Sequence, residues 1–305
     1  MAAVPASKLR PTAVSIAGSD SGGGAGIQAD LLTFSAHGVW GTTVVVAGTA
    51  QNSRGVVAVE PFTPRFVGRQ IDAVFSDFHP AAVKIGMLYG APHVRAVAAG
   101  LRRHRAKNVV LDPVLASTGG FPLLTPEGLR AIRRDLLSLC AIVTPNRGEA
   151  ARLAGMRSAR TEDDLALAAR KIEAFGAAAV LVTGGDAAGR SVRDLLWLPE
   201  KFRVFENPRI ATRATHGTGC TLSSAIAANL ALGFGLEDAV ARAIQYVRAA
   251  LERGIHAGGG AGTPGRLPTS SRTGIRPRPG PSRSSRSAPR RGRRRAPGRG
   301  SSPTP

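Results

Sequence analysis

The sequence lacks the features of a secreted or membrane-bound protein. It has only two cysteines, Cys140 and Cys220, among 305 residues, so it has no disulfide framework of the kind that small secreted proteins use. No apolar run approaches the roughly 18 residues that a membrane-spanning helix needs. The first ten residues contain no apolar segment typical of a secretory signal. We therefore expect a cytoplasmic protein.

Aromatic residues are also scarce, at 5% of the chain, which leaves no evident platform for stacking nucleic-acid bases. This scarcity matters because the formal net charge of +21 is typical of proteins that bind nucleic acid. Twelve arginines between Arg266 and Arg299 carry much of that charge, and taking these twelve from +21 leaves +9 for the rest. The charge therefore predicts non-specific, low-salt binding to polyanions by one end of the chain, with no specific nucleic acid as a partner.

The composition divides the chain into three parts. We predict an N-terminal extension over residues 1–11, a folded domain over residues 12–262 and a disordered tail over residues 263–305. The tail is rich in Arg, Pro, Gly and Ser and contains no Asp, Glu or Lys. Such a segment has too little apolar surface to offset the entropy lost on folding.

Between residues 12 and 262, short runs rich in Val and Ile alternate with amphipathic stretches. The runs predict strands buried on both faces, at residues 12–17, 42–49, 81–86, 108–112, 141–144 and 178–183. The amphipathic stretches predict helices, at residues 64–78, 161–175, 218–232 and 236–253. Alternation of this kind predicts an α/β fold with a mainly parallel sheet covered by helices on both faces. In such sheets, ligands bind beyond the carboxyl ends of the strands.

A glycine-rich loop over residues 17–30 follows the first strand. Its glycines let the backbone approach a ligand, and the helix behind it offers free N–H groups. The spacing Gly24-x-Gly26-x-x-Ala29 resembles a dinucleotide-binding turn, but the second strand ends without the acidic residue that such a site needs. A phosphate loop of the Walker type is excluded because no Lys-Ser or Lys-Thr follows the glycines. A tight turn that binds no ligand stays open as an alternative.

A second glycine loop, over residues 215–221, opens a strongly helical stretch. Unpaired N–H groups at a helix start, with the helix dipole behind them, suit the negative charge of a phosphoryl group in transfer. Cys220 stands in this helix start, where a thiol pKa is lowered, so we expect it to act as a base or polar partner. Cys140 lies among leucines and is interpreted as a small buried hydrophobic residue.

Acidic residues follow two later strands. Asp112 stands at the end of one strand, and Asn146 and Glu149 stand beyond the next. A hydrated Mg²⁺ prefers few carboxylates and several waters, which this set offers. The alternative is that Asn146 caps a helix and Glu149 completes a capping box, and both roles can hold together.

Taken together, these stretches resemble the hydroxymethylpyrimidine/phosphomethylpyrimidine kinase family of the ribokinase-like superfamily. The matching segments occur in the family's order and spacing across about residues 12–256, at 16–30, 50–52, 83–88, 109–114, 144–150 and 215–222. The resemblance implies the ribokinase-like fold. It also implies stepwise transfer of the ATP γ-phosphate, first to 4-amino-5-hydroxymethyl-2-methylpyrimidine and then to its monophosphate, in thiamine biosynthesis.

The same resemblance implies roles for individual residues. The pyrimidine pocket would be lined by Gly18, Asp30, Gln51 and Met87. The catalytic loop would be formed by Gly217, Thr218, Gly219 and Cys220, with Cys220 where most ribokinase-like enzymes carry an aspartate base. The Mg-ATP side would be formed by Asp112, Asn146, Glu149, Thr183 and Thr215, with Asp112 and Glu149 as the metal ligands.

Two alternatives stay open. A related branch of the family phosphorylates pyridoxal and carries a cysteine in the loop after the fourth strand, whereas residues 115–119 here contain none. From a different class, the basic tail would make the protein a non-specific nucleic-acid binder. We further expect a homo-oligomer, with a dimer favoured.

Overall fold

The computed structural model describes residues 10–199 and 201–266, and these form one nine-stranded sheet with helices on both faces. The strand order is β3-β2-β1-β4-β5-β6-β7-β8-β9. Six strands in the middle of the sheet run parallel, while β3, β8 and β9 pair antiparallel at its two edges. In chain order, the strands are β1 Thr12–Asp20, β2 Trp40–Asn52, β3 Gly55–Pro61, β4 Ala82–Ile85, β5 Val109–Leu111, β6 Ile142–Val143, β7 Val180–Val182, β8 Ser191–Leu198 and β9 Lys201–Pro208.

Eight α-helices connect and cover the strands among the described residues. They are α1 Gly26–Ala36, α2 Pro64–Asp77, α3 Ala91–Arg103, α4 Pro126–Ala131, α5 Arg147–Ala154, α6 Glu162–Glu173, α7 Thr218–Ala231 and α8 Leu236–Glu252. Side chains cap the starts of several of them. Thr161 and Asp164 form the predicted capping box of α6, because each side chain accepts from the other residue's backbone N–H.

Two hydrophobic clusters lie on opposite faces of the sheet. On β1, Val14 and Ile16 belong to the cluster under α2 to α6, and Ala13 belongs to the cluster under α1, α7 and α8. Neighbouring residues of a strand point to opposite faces, so a strand covered on both sides needs apolar residues in succession. The predicted α/β class with a mainly parallel, doubly covered sheet is therefore confirmed.

All six predicted strands are present, but β3, β8 and β9 were not predicted. The hairpin of β8 and β9 carries charged side chains such as Arg193, Lys201 and Arg203. β3 and β9 are the edge strands of the sheet, and β8 lies beside β9. Strands at or near an edge tolerate charge, so they lack the apolar run that marks the central strands. No helix of the described residues is long and apolar enough to cross a membrane.

The fold extends beyond the predicted boundary at residue 262. Ile255 and Thr263 pair as an antiparallel bridge, and the Arg266 side chain is buried with 9% of its surface exposed. The first four residues assigned to the tail, 263–266, are thus packed against the domain, and the boundary must move to at least 266. The rest of the predicted tail, and residues 1–9 of the predicted N-terminal extension, lie outside the described residues.

Candidate active site

A cavity of about 680 Å³ opens at the carboxyl ends of the parallel strands. Its walls come from the loops after β1, β2, β4, β5, β6 and β7 and from the start of α7. Residues far apart in the chain meet here because parallel strands all end at the same edge of a sheet. Twelve of the thirteen predicted site residues line it: Gly18, Gln51, Met87, Asp112, Asn146, Glu149, Thr183, Thr215, Gly217, Thr218, Gly219 and Cys220.

The glycine loop after β1 is shaped by Asp20, whose side chain is almost fully buried. Its carboxylate accepts hydrogen bonds from the backbone N–H groups of Gly22 at 2.8 Å, Gly24 at 3.0 Å and Ala25 at 2.8 Å. Burial raises the pKa of Asp20, but the hydrogen bonds from His216 and the backbone outweigh it and hold the pKa below its usual value. The loop is therefore wrapped around an ionised carboxylate.

The two glycine loops touch each other across the cavity wall. His216 Nε2 lies 3.0 Å from Asp20 Oδ2, which ties the second loop to the first. Gly217 has a φ of +82°, and a Cβ on this residue would overlap the carbonyl oxygen of Gly24. Only glycine fits there, since the conformation is left-handed and the backbones meet without space for a side chain.

Gln51 reaches the cavity from the end of β2. Its Nε2 lies 3.1 Å from His216 Nε2, and its Oε1 lies 3.2 Å from Thr49 Oγ1. Because Asp20 is ionised, His216 Nε2 donates to it, and a nitrogen that donates cannot also accept from Gln51. The amide hydrogens of Gln51 thus remain available to a ligand in the cavity.

Asp30 does not line the cavity, and the prediction that it does is wrong. It sits on α1 with no exposed surface, behind the cavity wall. Its carboxylate accepts from Ser15 at 2.5 Å, Ser224 at 2.7 Å and Lys84 at 2.9 Å. A carboxylate without a neighbouring cation is costly to bury, so the face of α1 that carries Asp30 turns toward Lys84 instead of solvent.

The start of α7 faces the cavity. Thr218 N donates to Thr215 O at 3.2 Å, whereas Gly219 N and Cys220 N have no backbone acceptor among the described residues. The N-cap of α7 is Gly217, which has no side chain to cap the first N–H groups. The helix continues with residues that are buried almost throughout, from Thr221 to Leu230. A rigid buried helix that points its positive end into a cavity suits an anionic ligand.

Cys220 lies on the first turn of α7, and its thiol pKa is raised to about 11 instead of lowered. Burial is the main cause; Asp112 and Asp30 raise it further, while Lys84 opposes the shift. The prediction of a lowered thiol pKa is therefore wrong, because loss of solvation outweighs the helix start. Cys220 is therefore a neutral thiol in this site.

Asp112 lies beside the first turn of α7, where Ser223 Oγ donates to its Oδ2 at 3.2 Å, and Glu149 lines the same cavity. Burial is the main cause that raises the pKa of both carboxyl groups. The nearby Asp112 raises the pKa of Glu149 further, to about 8. The capping box is also present, since Glu149 N donates to Asn146 Oδ1 and Asn146 N donates to Glu149 Oε2, both at 2.9 Å. Glu149 thus fixes the start of α5 while its side chain borders the cavity.

Gly18 and Met87 lie side by side on the remaining wall. A Cβ on Gly18 would come within 2.9 Å of the Met87 sulfur, so the absence of a side chain there makes room for the thioether. Thr183 and Thr215 border the cavity near the acidic side and near the second glycine loop, respectively. The cavity thus has an apolar wall at Gly18 and Met87, and polar groups border it near Thr183 and Thr215.

The lining residues that were not among the predicted site residues include Asp20, Lys84 and His216. The sequence did contain a signal for Lys84, because it lies inside the otherwise apolar strand Ala82–Ile85. A lysine buried in this way needs a buried partner of opposite charge. The sequence places His216 within the second glycine loop, residues 215–221. Its contact with Asp20, 196 residues away, has no signal in a single sequence.

Comparison with known proteins identifies the family. The sequence model described as phosphomethylpyrimidine kinase matches residues 20–265. The chain is 51% identical over 239 residues to the hydroxymethylpyrimidine/phosphomethylpyrimidine kinase of Rhizobium meliloti, covering 78% of this chain and 90% of that one. It is 45% identical over 242 residues to the enzyme of the same name from Escherichia coli, covering 79% and 91%.

Solved structures agree with this assignment. A phosphomethylpyrimidine kinase from Clostridium difficile superposes with a TM-score of 0.69 at 40% identity, covering 78% of this chain and 97% of that one. An ADP complex of Bacillus subtilis pyridoxal kinase gives 0.79 at 35% identity, covering 87% and 99%. The predicted family, ribokinase-like fold and phosphotransferase class are thus confirmed: this chain belongs to the phosphomethylpyrimidine kinase family.

Proposed function

We propose that this chain transfers the γ-phosphoryl group of ATP to 4-amino-5-hydroxymethyl-2-methylpyrimidine and then to the resulting monophosphate. The observation that carries the proposal is that one cavity joins a pocket bounded by Gly18, Gln51 and Met87 to the free start of α7. The hydroxyl group of a substrate bound in this pocket would face an anion-binding site at the start of α7. Such a site brings the reacting groups together before any chemistry occurs.

The pyrimidine would bind at the end formed by Gly18, Gln51 and Met87. Met87 offers a polarisable apolar surface to the ring face. The Gln51 amide offers both donors and an acceptor, which suits the polar edge of an aminopyrimidine. Asp30 does not touch the substrate in this proposal; it neutralises Lys84 behind the pocket.

The residues Gly217, Thr218, Gly219 and Cys220 would stabilise the phosphoryl group in transfer. Phosphoryl transfer passes through a loose transition state, so fixed N–H dipoles contribute more than a strong base. The Cys220 thiol, protonated at neutral pH, would position the acceptor hydroxyl by hydrogen bonding. This role replaces that of a thiolate base.

Asp112 and Glu149 fit a magnesium ion of the Mg-ATP complex. Among the described residues, no group of three or more His, Cys, Asp or Glu is placed to hold a metal. Mg²⁺ in phosphoryl-transfer sites commonly has only one or two carboxylates, with phosphate oxygens and waters completing the shell. When bound, the ion would neutralise charge on the nucleotide. Asn146, Thr183 and Thr215 would contact the nucleotide on the same side.

The metal assignment is tested by the magnesium requirement of the reaction. Asp112→Asn and Glu149→Gln keep the size of each side chain, and Gln at position 149 can still accept from the Asn146 backbone. We expect both variants to need more magnesium for half-maximal rate, while Asp163→Asn, at an exposed position on α6, stays unchanged. An unchanged magnesium requirement in both variants would remove Asp112 and Glu149 from the metal site.

Pyridoxal is a second candidate substrate because pyridoxal kinases are among the structural neighbours, including the Bacillus subtilis protein described above. The loop after β5 borders the cavity through Ala116, Ser117 and Thr118, and it holds no cysteine. The deciding experiment measures ATP turnover with hydroxymethylpyrimidine, its monophosphate and pyridoxal side by side. We expect the two pyrimidines to be preferred, and a preference for pyridoxal would overturn the proposal.

The proposed setting is a cytoplasmic homodimer. Both cysteines are free thiols, which is compatible with a reducing compartment. Light scattering of the purified chain would test the dimer.

A further inference from the structure

The side chain of Arg266 bridges the two glycine loops from behind. Its Nη2 lies 2.7 Å from the carbonyl oxygen of Gly24 and 3.3 Å from that of Gly217. Its Nε donates to Thr221 Oγ1 at 2.9 Å, and its Nη1 donates to Thr263 Oγ1 at 2.8 Å. One guanidinium group therefore connects the loop after β1, the first turn of α7 and the last described segment of the chain.

The segment that carries Arg266 is itself fixed to the second glycine loop. His216 N donates to the carbonyl of Gly262 at 2.9 Å, and Gly262 N donates to that of Arg213 at 3.0 Å. Gly265 N donates to the carbonyl of Ala250 on α8 at 2.8 Å. The backbone before Arg266 is thus fixed to the second glycine loop and to α8, so its side chain adds a defined contact instead of an incidental one.

All four acceptors of Arg266 are uncharged oxygens, two carbonyls and two hydroxyls. A buried cation without a carboxylate partner is costly, and burial lowers the pKa of this guanidinium. The cation also stands at the positive end of the α7 dipole, where a cation is disfavoured. An anion bound at the start of α7 would offset both costs, because it would meet the dipole and the cation together.

We infer that Arg266 is a positioning residue of the phosphoryl-transfer site: it holds the two glycine loops in register and adds positive potential behind the anion-binding helix start. The inference rests on the proposed function. Lysine cannot replace it, because a single ammonium lacks the planar fork that reaches three separate groups of acceptors. Gly24 and Gly217 already touch, so a small shift of either loop would move the α7 amides relative to the bound nucleotide.

The test compares Arg266→Ala, Arg266→Lys and a control, Arg65→Ala, at an exposed position of α2. We expect Arg266→Ala to lower kcat by about tenfold to hundredfold, as displacement of catalytic groups does. The KM for the pyrimidine should change less than kcat, since the hydrogen bonds of Arg266 reach none of Gly18, Gln51 and Met87. Millimolar guanidinium should restore part of the activity of Arg266→Ala and leave the wild type and Arg65→Ala unchanged.

Two results would overturn the inference: kcat of Arg266→Lys at the wild-type level, or a loss in Arg266→Ala that follows the unfolded fraction and is not rescued by guanidinium. Arg266→Lys keeps the charge and the aliphatic stem, so it remains informative if Arg266→Ala does not fold. Failure of the proposed function is distinguishable, because it would show as absence of pyrimidine phosphorylation in the wild type itself.

Discussion

Lys84 Nζ donates to Asp30 Oδ2 at 2.9 Å, and neither side chain has any exposed surface. Burial lowers the pKa of Lys84, but attraction to Asp30 and Asp112 outweighs it and raises the pKa above its ordinary value. The pair thus keeps one positive and one negative charge, which balance each other, beneath a cavity that also holds the Asp112 carboxylate.

The first prediction concerns this pair. Lys84→Met should lower the free energy of unfolding by about 3–5 kcal/mol, because it leaves the Asp30 charge buried without a cation. The double variant Lys84→Met with Asp30→Asn should lose clearly less than the two single losses added together. Urea unfolding measures each value, with Lys107→Met as an exposed control. Strict additivity would show that the two charges do not depend on each other.

The second prediction concerns Cys220. With a thiol pKa of about 11, roughly one molecule in 10⁴ carries the thiolate at pH 7. The rate of alkylation by iodoacetamide at Cys220 should therefore rise steadily from pH 7 to pH 10, as the thiolate fraction grows. Peptide mass spectrometry separates this residue from Cys140. An alkylation rate that levels off below pH 8 would mean that the helix start lowers the thiol pKa of Cys220.

A mutation completes this test. Cys220→Ala should lower kcat by at least about tenfold with little change in KM, as removal of a group that acts in the transition state does. Cys220→Ser should retain most of the activity, since a hydroxyl also donates. Equal activity in all three proteins would reduce Cys220 to a packing residue.

The third prediction concerns Gln51. Gln51→Leu removes the amide but keeps an apolar side chain of similar length, so a bound aminopyrimidine would lose its partner. We expect kcat/KM for hydroxymethylpyrimidine to fall by about 2 kcal/mol, the cost of an unsatisfied buried polar group. Turnover of pyridoxal, where measurable, should fall much less. Equal losses for both substrates would indicate that Gln51 supports the loop through His216 and does not read the ring.

The fourth prediction concerns the arginines after Arg266. The sequence places eleven of the twelve tail arginines beyond that residue. A chain that ends at residue 266 should keep its kinase activity and lose the low-salt binding to single-stranded DNA that we expect of the full chain. A chain that ends at residue 262 should lose kinase activity as well, because it lacks Thr263 and Arg266. Full activity of the shorter chain would contradict the domain boundary drawn from the structure.

The central strands and the cavity were predictable from the sequence, because buried parallel strands need continuous apolar runs and their ends share one edge. Val83 and Ile85 are part of such an apolar run in β4, whereas the charged Arg193 interrupts the run in β8. The direction in which a helix turns was not predictable, so Asp30 was assigned to the pocket although its side of α1 faces Lys84. The thiol pKa of Cys220 was also not predictable from the sequence, since it depends on how far the surrounding residues exclude water from the thiol in the folded protein.

The hydrogen bond from Arg266 to Gly24 joins residues that are 242 positions apart, and the contact of His216 with Asp20 spans 196. Contacts between distant segments form late, because the chain between them must first be ordered. During synthesis on the ribosome, the first glycine loop emerges long before the segment that closes on it. A nascent chain that has already folded its leading strands would therefore carry half a site, and it would acquire nucleotide binding only when its last folded residues leave the exit tunnel.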